Sequence, residues 1–307
     1  MNYVLKSGVW PTMITPFTKD GQIDFPGVES LIEWYISKGV VGIFAICQSS
    51  EMFFLSLEER VSLSKFIVDK VNGRCGVISS GHISSSEVDQ LEEITAIAAT
   101  GVEAVVLVAN RIAAEEDSPS VWISNLSKIL EKVSASIPLG FYECPYPYKR
   151  VLTESELKFV AYTGRFFFLK DTCCDTLMHA ERVRICKDTP LKLFNANSST
   201  LASSIRLGYH GFSGVMGNFH PELYNLLLDK INNEKEYDEL QDFLGFSSVI
   251  ENQGYPMNAK YYLSLEGLSM GIETRSKDST TFSESNKREI EQFRNVALKM
   301  TKTFYKE

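Results

Sequence analysis

Four short stretches of this chain hold side chains whose type and position suit chemistry. In FFFLKDTCC (166–174) an apolar run ends in Lys170, followed at once by Asp171. Lysine is strongly hydrated and is rarely buried without a partner or a purpose. With an apolar strand behind it, its ammonium form is disfavoured, and the neutral amine is a nucleophile able to form a Schiff base with a ketone. The plainer alternative is that Lys170 marks where a strand emerges into solvent and pairs with Asp171. The second stretch, GFYECP, ends another apolar run in Tyr142, a phenol suited to moving protons during imine formation and C–C cleavage. The third, AICQSSEMFF, offers the Ser49 and Ser50 hydroxyls and loop N–H groups for a carboxylate, with Gln48 beside them. The fourth carries Arg111, a cation that can hold an anionic substrate tail or depress the Lys170 pKa, or simply sit solvated in a loop.

These residues need elements to hold them in one place. Apolar runs recur at 9–15, 41–46, 76–80, 104–109, 138–143, 166–170, 191–195 and 211–215, each followed by an amphipathic segment. Two of those segments open with a capping box, Ser56 with Glu59 and Thr153 with Glu156, and stop at Gly73 and Gly164. Eight βα units with strands apolar on both faces predict an α/β fold, a (β/α)8 TIM barrel over 1–221, with catalytic side chains at the carboxyl ends of the strands. The competing open, doubly wound sheet would carry a glycine-rich turn after its first strand, and TPFTKDGQID is not one. Beyond residue 221 three helical segments are expected, forming a C-terminal helical region over 222–307 packed on the barrel.

Composition narrows the partners. The chain has 307 residues, 44% hydrophobic and 23% charged, with a net charge of −8, and no basic cluster interleaved with aromatics. Nucleic acid and anionic membrane are therefore not expected as partners, and a small molecule is. The first residues lack a charged segment followed by an apolar one, and no apolar run is long enough to span a bilayer, so a cytoplasmic protein is expected. Six cysteines without CxxC spacing read as reduced thiols, and four histidines without HExxH or HxH spacing call for no metal; no cofactor is expected.

In order and spacing, VWPTMITPF, DGQID, GVVGIFAICQSSEMFFLSLEER, FYECP, FFFLKD, LGYHGFSG and KYYLSLEGL resemble the dihydrodipicolinate synthase and N-acetylneuraminate lyase family of class I, Schiff-base aldolases. The resemblance implies a barrel with three C-terminal helices, usually tetrameric, and therefore a homo-oligomer here, tetramer or dimer. It implies Lys170 as the Schiff-base lysine and Tyr142 as the proton-transfer tyrosine. It implies Ser49 as the hydroxyl on the 2-keto-acid carboxylate, with Ser50 and Gln48 in the same loop and Glu51 supporting it. Departures accompany it. The family's Gly-Thr-Thr-Gly is Cys47, Gln48, Ser49, Ser50 here, and an amide cannot relay a proton as a hydroxyl does. The tyrosine pair after the fourth strand is replaced by Ala109, Asn110, Arg111, Ile112, and the arginine that holds the semialdehyde in the synthases falls near Pro147. The implied function is a lyase acting on a pyruvate-type 2-keto acid, distinct from a dihydrodipicolinate synthase, with Arg111, Tyr146 or Tyr148 taking over the relay. A sugar-acid (2-keto-3-deoxy) dehydratase using the same imine, and a non-catalytic keto-acid-binding paralogue, remain open.

Overall fold

A computed structural model describes residues 5–231 and 237–305. Eight parallel strands, β1 (Gly8–Val9), β2 (Gly42–Phe44), β3 (Gly76–Ser79), β4 (Ala104–Val108), β5 (Leu139–Tyr142), β6 (Phe166–Asp171), β7 (Lys192–Asn195) and β8 (Gly211–Phe212), follow one another around a sheet in which β1 pairs with β8. Between β1 and β2 the ring is closed by hydrogen bonds from Val41 N to Val9 O and from Phe44 N to Pro11 O, together with a parallel bridge between Thr12 and Phe44. The first strand is shorter than the apolar run 9–15 because Pro11 has no N–H to give the ladder. Helices α1 (Phe25–Ser37), α2 (Leu57–Val71), α3 (Glu87–Ala98), α4 (Pro119–Lys132), α5 (Glu154–Tyr162), α6 (Thr176–Cys186), α7 (Leu201–Leu207) and α8 (Pro221–Lys230) follow the strands in turn. The chain is a (β/α)8 TIM barrel, and α9 (Asp238–Ser247), α10 (Met257–Leu265) and α11 (Glu284–Phe304) succeed it.

The local signals explain the helix ends. Ser56 and Thr153 each form a two-way capping box with the glutamate three residues on. The last turn of α2 closes one residue earlier than its glycine suggested, at Asn72, which takes the left-handed conformation with φ 46°.

The barrel interior is aromatic. Trp10 fills its lower half because Gly42 and Gly76 leave room; a Cβ on them would stand 2.2 and 2.5 Å from the indole. Above it, Phe168 and Phe194 stack with ring centroids 4.7 Å apart, and Phe44 meets Phe168 edge-on at 5.8 Å. This layer is the floor on which the strand ends stand.

Candidate active site

The direction of Lys170 depends on one extra residue in β6. Leu139 pairs with Phe166, but its neighbour Gly140 pairs with Phe168, so the register shifts by a residue at Phe167. Before the shift Phe166 faces outward, stacked on Phe141 beneath the helices. After it Phe168 faces the barrel axis, and so does Lys170 two residues on. Strict alternation from Phe166 would have turned the lysine outward.

Lys170 is 4% exposed. Its Nζ lies 4.4 Å from the centroid of the Tyr142 ring, the residue paired with it across β5 and β6. Burial pushes its pKa below the ordinary lysine value, with Cys47, Cys144 and Glu251 pulling the other way. It makes no pair with Asp171, which points to the opposite side of the strand.

That opposite side is a buried ion cluster. Arg182 of α6 reaches Asp171 at 2.7 Å and Glu143 at 2.6 Å, and all three side chains are almost fully buried. Glu143 also accepts hydrogen bonds from the backbone N–H groups of Leu152 and Thr172, while Tyr209 donates its hydroxyl to Asp171. Arg182 holds the Asp171 carboxyl below the usual range, whereas burial raises that of Glu143. The residue after Tyr142 and the residue after Lys170 are thus tied to one guanidinium.

Above the floor opens a cavity of about 670 Å³, bordered by Lys170, Tyr142, Gln48, Ser49, Glu251 and Tyr255 among others. Of the residues singled out in the sequence, Lys170, Tyr142, Gln48 and Ser49 meet here. The Tyr142 hydroxyl donates to Gln48 Oε1 at 3.2 Å, and the Cys144 thiol lies 3.5 Å from the same oxygen. Ser49 donates to Thr12 Oγ1 at 3.1 Å. Ser50 does not border the cavity. Its hydroxyl accepts from Cys47 N at 2.6 Å and donates to Cys47 O at 2.7 Å, closing the turn that presents Ser49. Arg111 also stands outside, its guanidinium 5.3 Å over the ring of Phe53, which does border the cavity. Tyr146 borders it as well, but the Tyr148 hydroxyl is spent on the carbonyls of Asn110 and Ala113.

Glu51 has φ 62°, and its carboxylate accepts the backbone N–H groups of Arg275 and Ser276, both at 2.7 Å. Lys260, fully buried, stands 3.4 Å from it. The loop after β2 is thereby fastened to the segment between α10 and α11, which lends Ser276 and Lys277 to the cavity rim.

Sequence reasoning missed Glu251 and Tyr255. Both come from the stretch between α9 and α10, which in the sequence reads only as a connection between helices. Burial raises the Glu251 pKa to about 7, opposed by the Lys170 charge. Tyr255 is half-buried, borders the cavity with Ser49 and accepts a hydrogen bond from Asn218 at 3.2 Å. Asp171, Cys173 and His179 cluster closely enough to hold an ion among the described residues, but Arg182 and Tyr209 already occupy the Asp171 carboxylate.

Comparison with known proteins accords with this geometry. Residues 5–293 match the model of the Dihydrodipicolinate synthetase family. A putative 2-dehydro-3-deoxy-D-gluconate aldolase, YagE of Escherichia coli, is 29% identical over 234 residues, 73% of this chain and 74% of that one. A 4-hydroxy-tetrahydrodipicolinate synthase of Clostridium novyi is 24% identical over 273 residues, 86% of this chain and 88% of the relative. Among solved structures, YagE in complex with pyruvate superposes with a TM-score of 0.85 at 21% identity, covering 95% of this chain and 98% of that one. CdNal from Clostridium difficile in complex with mannosamine gives 0.84 at 17% identity, covering 95% and 99%. The chain belongs to the Dihydrodipicolinate synthetase family.

Proposed function

We propose that this family member works through an imine between Lys170 and a pyruvate-type 2-keto acid, as a lyase of the class I aldolase type. The observation that carries the reading is Lys170 itself: an almost fully buried amine on an aromatic floor, turned into the cavity, with its sequence neighbour Asp171 turned away. The neutral amine adds to C2 of the keto acid, and the carbinolamine loses water to give the iminium. Tyr142 is assigned as the acid–base group for the carbinolamine hydroxyl, its face against Lys170 Nζ. Ser49 is assigned to the keto-acid carboxylate, with Gln48 beside it. In the cleavage direction the C3–C4 bond breaks, its electron pair forms the enamine, and the C4 hydroxyl passes its proton to the Tyr142 oxygen, left deprotonated by the loss of water, as an aldehyde leaves.

The loop after β4 (Ala109, Asn110, Arg111, Ile112) offers no tyrosine pair, which supports a substrate other than that of the lysine-pathway synthases. Ser50 and Arg111 enter this reading as supports, Ser50 through the turn that presents Ser49 and Arg111 through Phe53. The proposed helical region over 222–307 takes in α8 (Pro221–Lys230), which follows β8 as the eighth helix of the barrel, and its later segments complete the cavity rim. Free cysteines suit a cytoplasmic setting, and among the described residues no helix is long and apolar enough to cross a membrane; exposed Phe246 and Val249 beside the cavity-forming turn suit self-association. One observation favours the keto-acid-binding alternative: the Tyr142 proton leads to the Gln48 carbonyl, where a relay stops.

The test is turnover of 4-hydroxy-2-keto acids with neutral and anionic tails, followed as pyruvate and aldehyde. Cleavage of at least one, abolished in Lys170→Met, is the expected result. Loss of water from C3–C4 without aldehyde would make the chain a dehydratase, and binding without either product would make it a binding protein.

A further inference from the structure

Resting on the Lys170 imine, we propose that Glu251 is a further catalytic residue, the base that takes the C3 proton of the bound 2-keto acid and returns it. Its 3-10 turn (Ser248–Asn252) follows α9 and packs on the turn Val215–Asn218 that follows β8. It therefore approaches Lys170 from the β8 side of the barrel mouth, whereas Tyr142 and Gln48 approach from the β5 and β2 sides. Both sets border the cavity into which Lys170 points.

The carboxylate of Glu251 borders the cavity, and no hydrogen bond or ion pair from another described residue reaches it. The groups that act on it are Lys170, whose charge opposes its burial, and Tyr224 and Tyr255, whose own ionisation it discourages. The packed turn Val215–Asn218 carries no titratable side chain. Lys149 and Lys277 stand on the cavity border as well, but Lys277 is committed to the Tyr255 carbonyl at 2.6 Å. A half-buried carboxylate left without a hydrogen-bond partner costs stability, which marks the position as a candidate for function. Its pKa of about 7 leaves both forms populated near neutrality, as a group that must accept and then donate one proton requires.

The step balances without a co-reactant. In the iminium the Glu251 carboxylate takes a proton from C3; the C3–H electron pair forms C2=C3, and the C=N π pair settles on nitrogen to give the enamine. Protonation of C3 by the carboxylic acid is the reverse and completes a cleavage cycle. The family's phenol–hydroxyl relay, broken here at Gln48, is not needed for this transfer.

Pyruvate in D2O is the probe, because exchange of its methyl hydrogens reports the step without knowledge of the natural substrate. The full chain should wash deuterium into pyruvate at a rate that rises with pH through about 7, and borohydride should trap pyruvate on Lys170. Glu251→Gln should still be trapped on Lys170, which also shows that it is folded, while exchange falls by a factor on the order of 10² or more and loses the ascending limb near pH 7. Exchange by Glu251→Gln at the parent rate and with the parent pH profile would overturn the proposal while leaving the imine intact. A parent chain that forms no Lys170 adduct would instead remove the imine reading, and this proposal with it.

Discussion

At the ends of β5 and β6, two residues side by side in sequence face opposite ways and meet opposite surroundings. Inward, Tyr142 and Lys170 stand over aromatic rings; the Lys170 amine lies 4.4 Å from the centre of the Tyr142 ring and has no carboxylate within ion-pair distance among the described residues. Outward, Glu143 and Asp171 are held by Arg182, by backbone N–H groups and by Tyr209. The outward carboxylates have their charge compensated and their geometry fixed, whereas the inward amine is left with a perturbed pKa. The difference teaches where rigidity and reactivity are placed: the buried ion cluster fixes the backbone at the two positions, and the pair on the other face is free to do chemistry.

The comparison is broken most severely at Arg182. Arg182→Leu leaves two uncompensated carboxylates in the interior and should cost about 3–5 kcal/mol in denaturant unfolding. A loss below about 1 kcal/mol would mean that the cluster does not hold these strand ends. Next in size is Tyr142→Phe, which keeps the ring under Lys170 and removes only the hydroxyl; turnover should fall by a factor on the order of 10² with little change in stability. An unchanged rate would take the phenol out of the mechanism.

A smaller effect sharpens the contrast through pH. The Glu251 pKa in the folded chain, about 7, lies above its ordinary value, so the folded state binds the proton more tightly than the unfolded one. Stability from this group is fully present below the ordinary carboxyl pKa and is lost as pH rises through about 7. Glu251→Gln should therefore raise the melting temperature at pH 8 and leave it almost unchanged at pH 4; equal shifts at both would contradict a strained carboxyl in the cavity. The smallest effect is expected at Arg111, where Arg111→Ala removes a cation–ring contact worth about 0.5–1 kcal/mol and should raise KM by no more than a few fold, for short and long keto acids alike. A large rise confined to anionic tails would return the arginine to the substrate.

Much of this was legible in the sequence. Each of the eight apolar runs overlaps a strand, though the first and last strands are shorter than their runs, and the capping boxes at Ser56 and Thr153 and the helices α9, α10 and α11 stand where patterning put them. So does the convergence of Lys170 and Tyr142, because neighbouring strands end together. The inward direction of Lys170 was not legible from alternation, since three consecutive phenylalanines satisfy either face and the register shift at Phe167 leaves no mark in residue type. The pairing of Asp171 was equally hidden. Its partner Arg182 lies eleven residues away on α6, on a buried face shared with His179, Ile185 and Cys186, and a polar residue among buried positions was the available signal. Ser50 and Arg111 showed chemistry without position: hydroxyl and guanidinium are legible, whereas the turn that consumes one and the ring that carries the other are tertiary facts. Glu251 came from a segment with no periodicity, brought to the barrel mouth by packing far from the strands in sequence.

Borohydride trapping with pyruvate, followed by peptide mapping, tests the central claim most directly. The account predicts one reduced adduct, on Lys170, forming more readily as pH rises and the buried amine loses its proton. A folded chain that carries no adduct, or carries it on another lysine such as Lys149 at the cavity border, would contradict it.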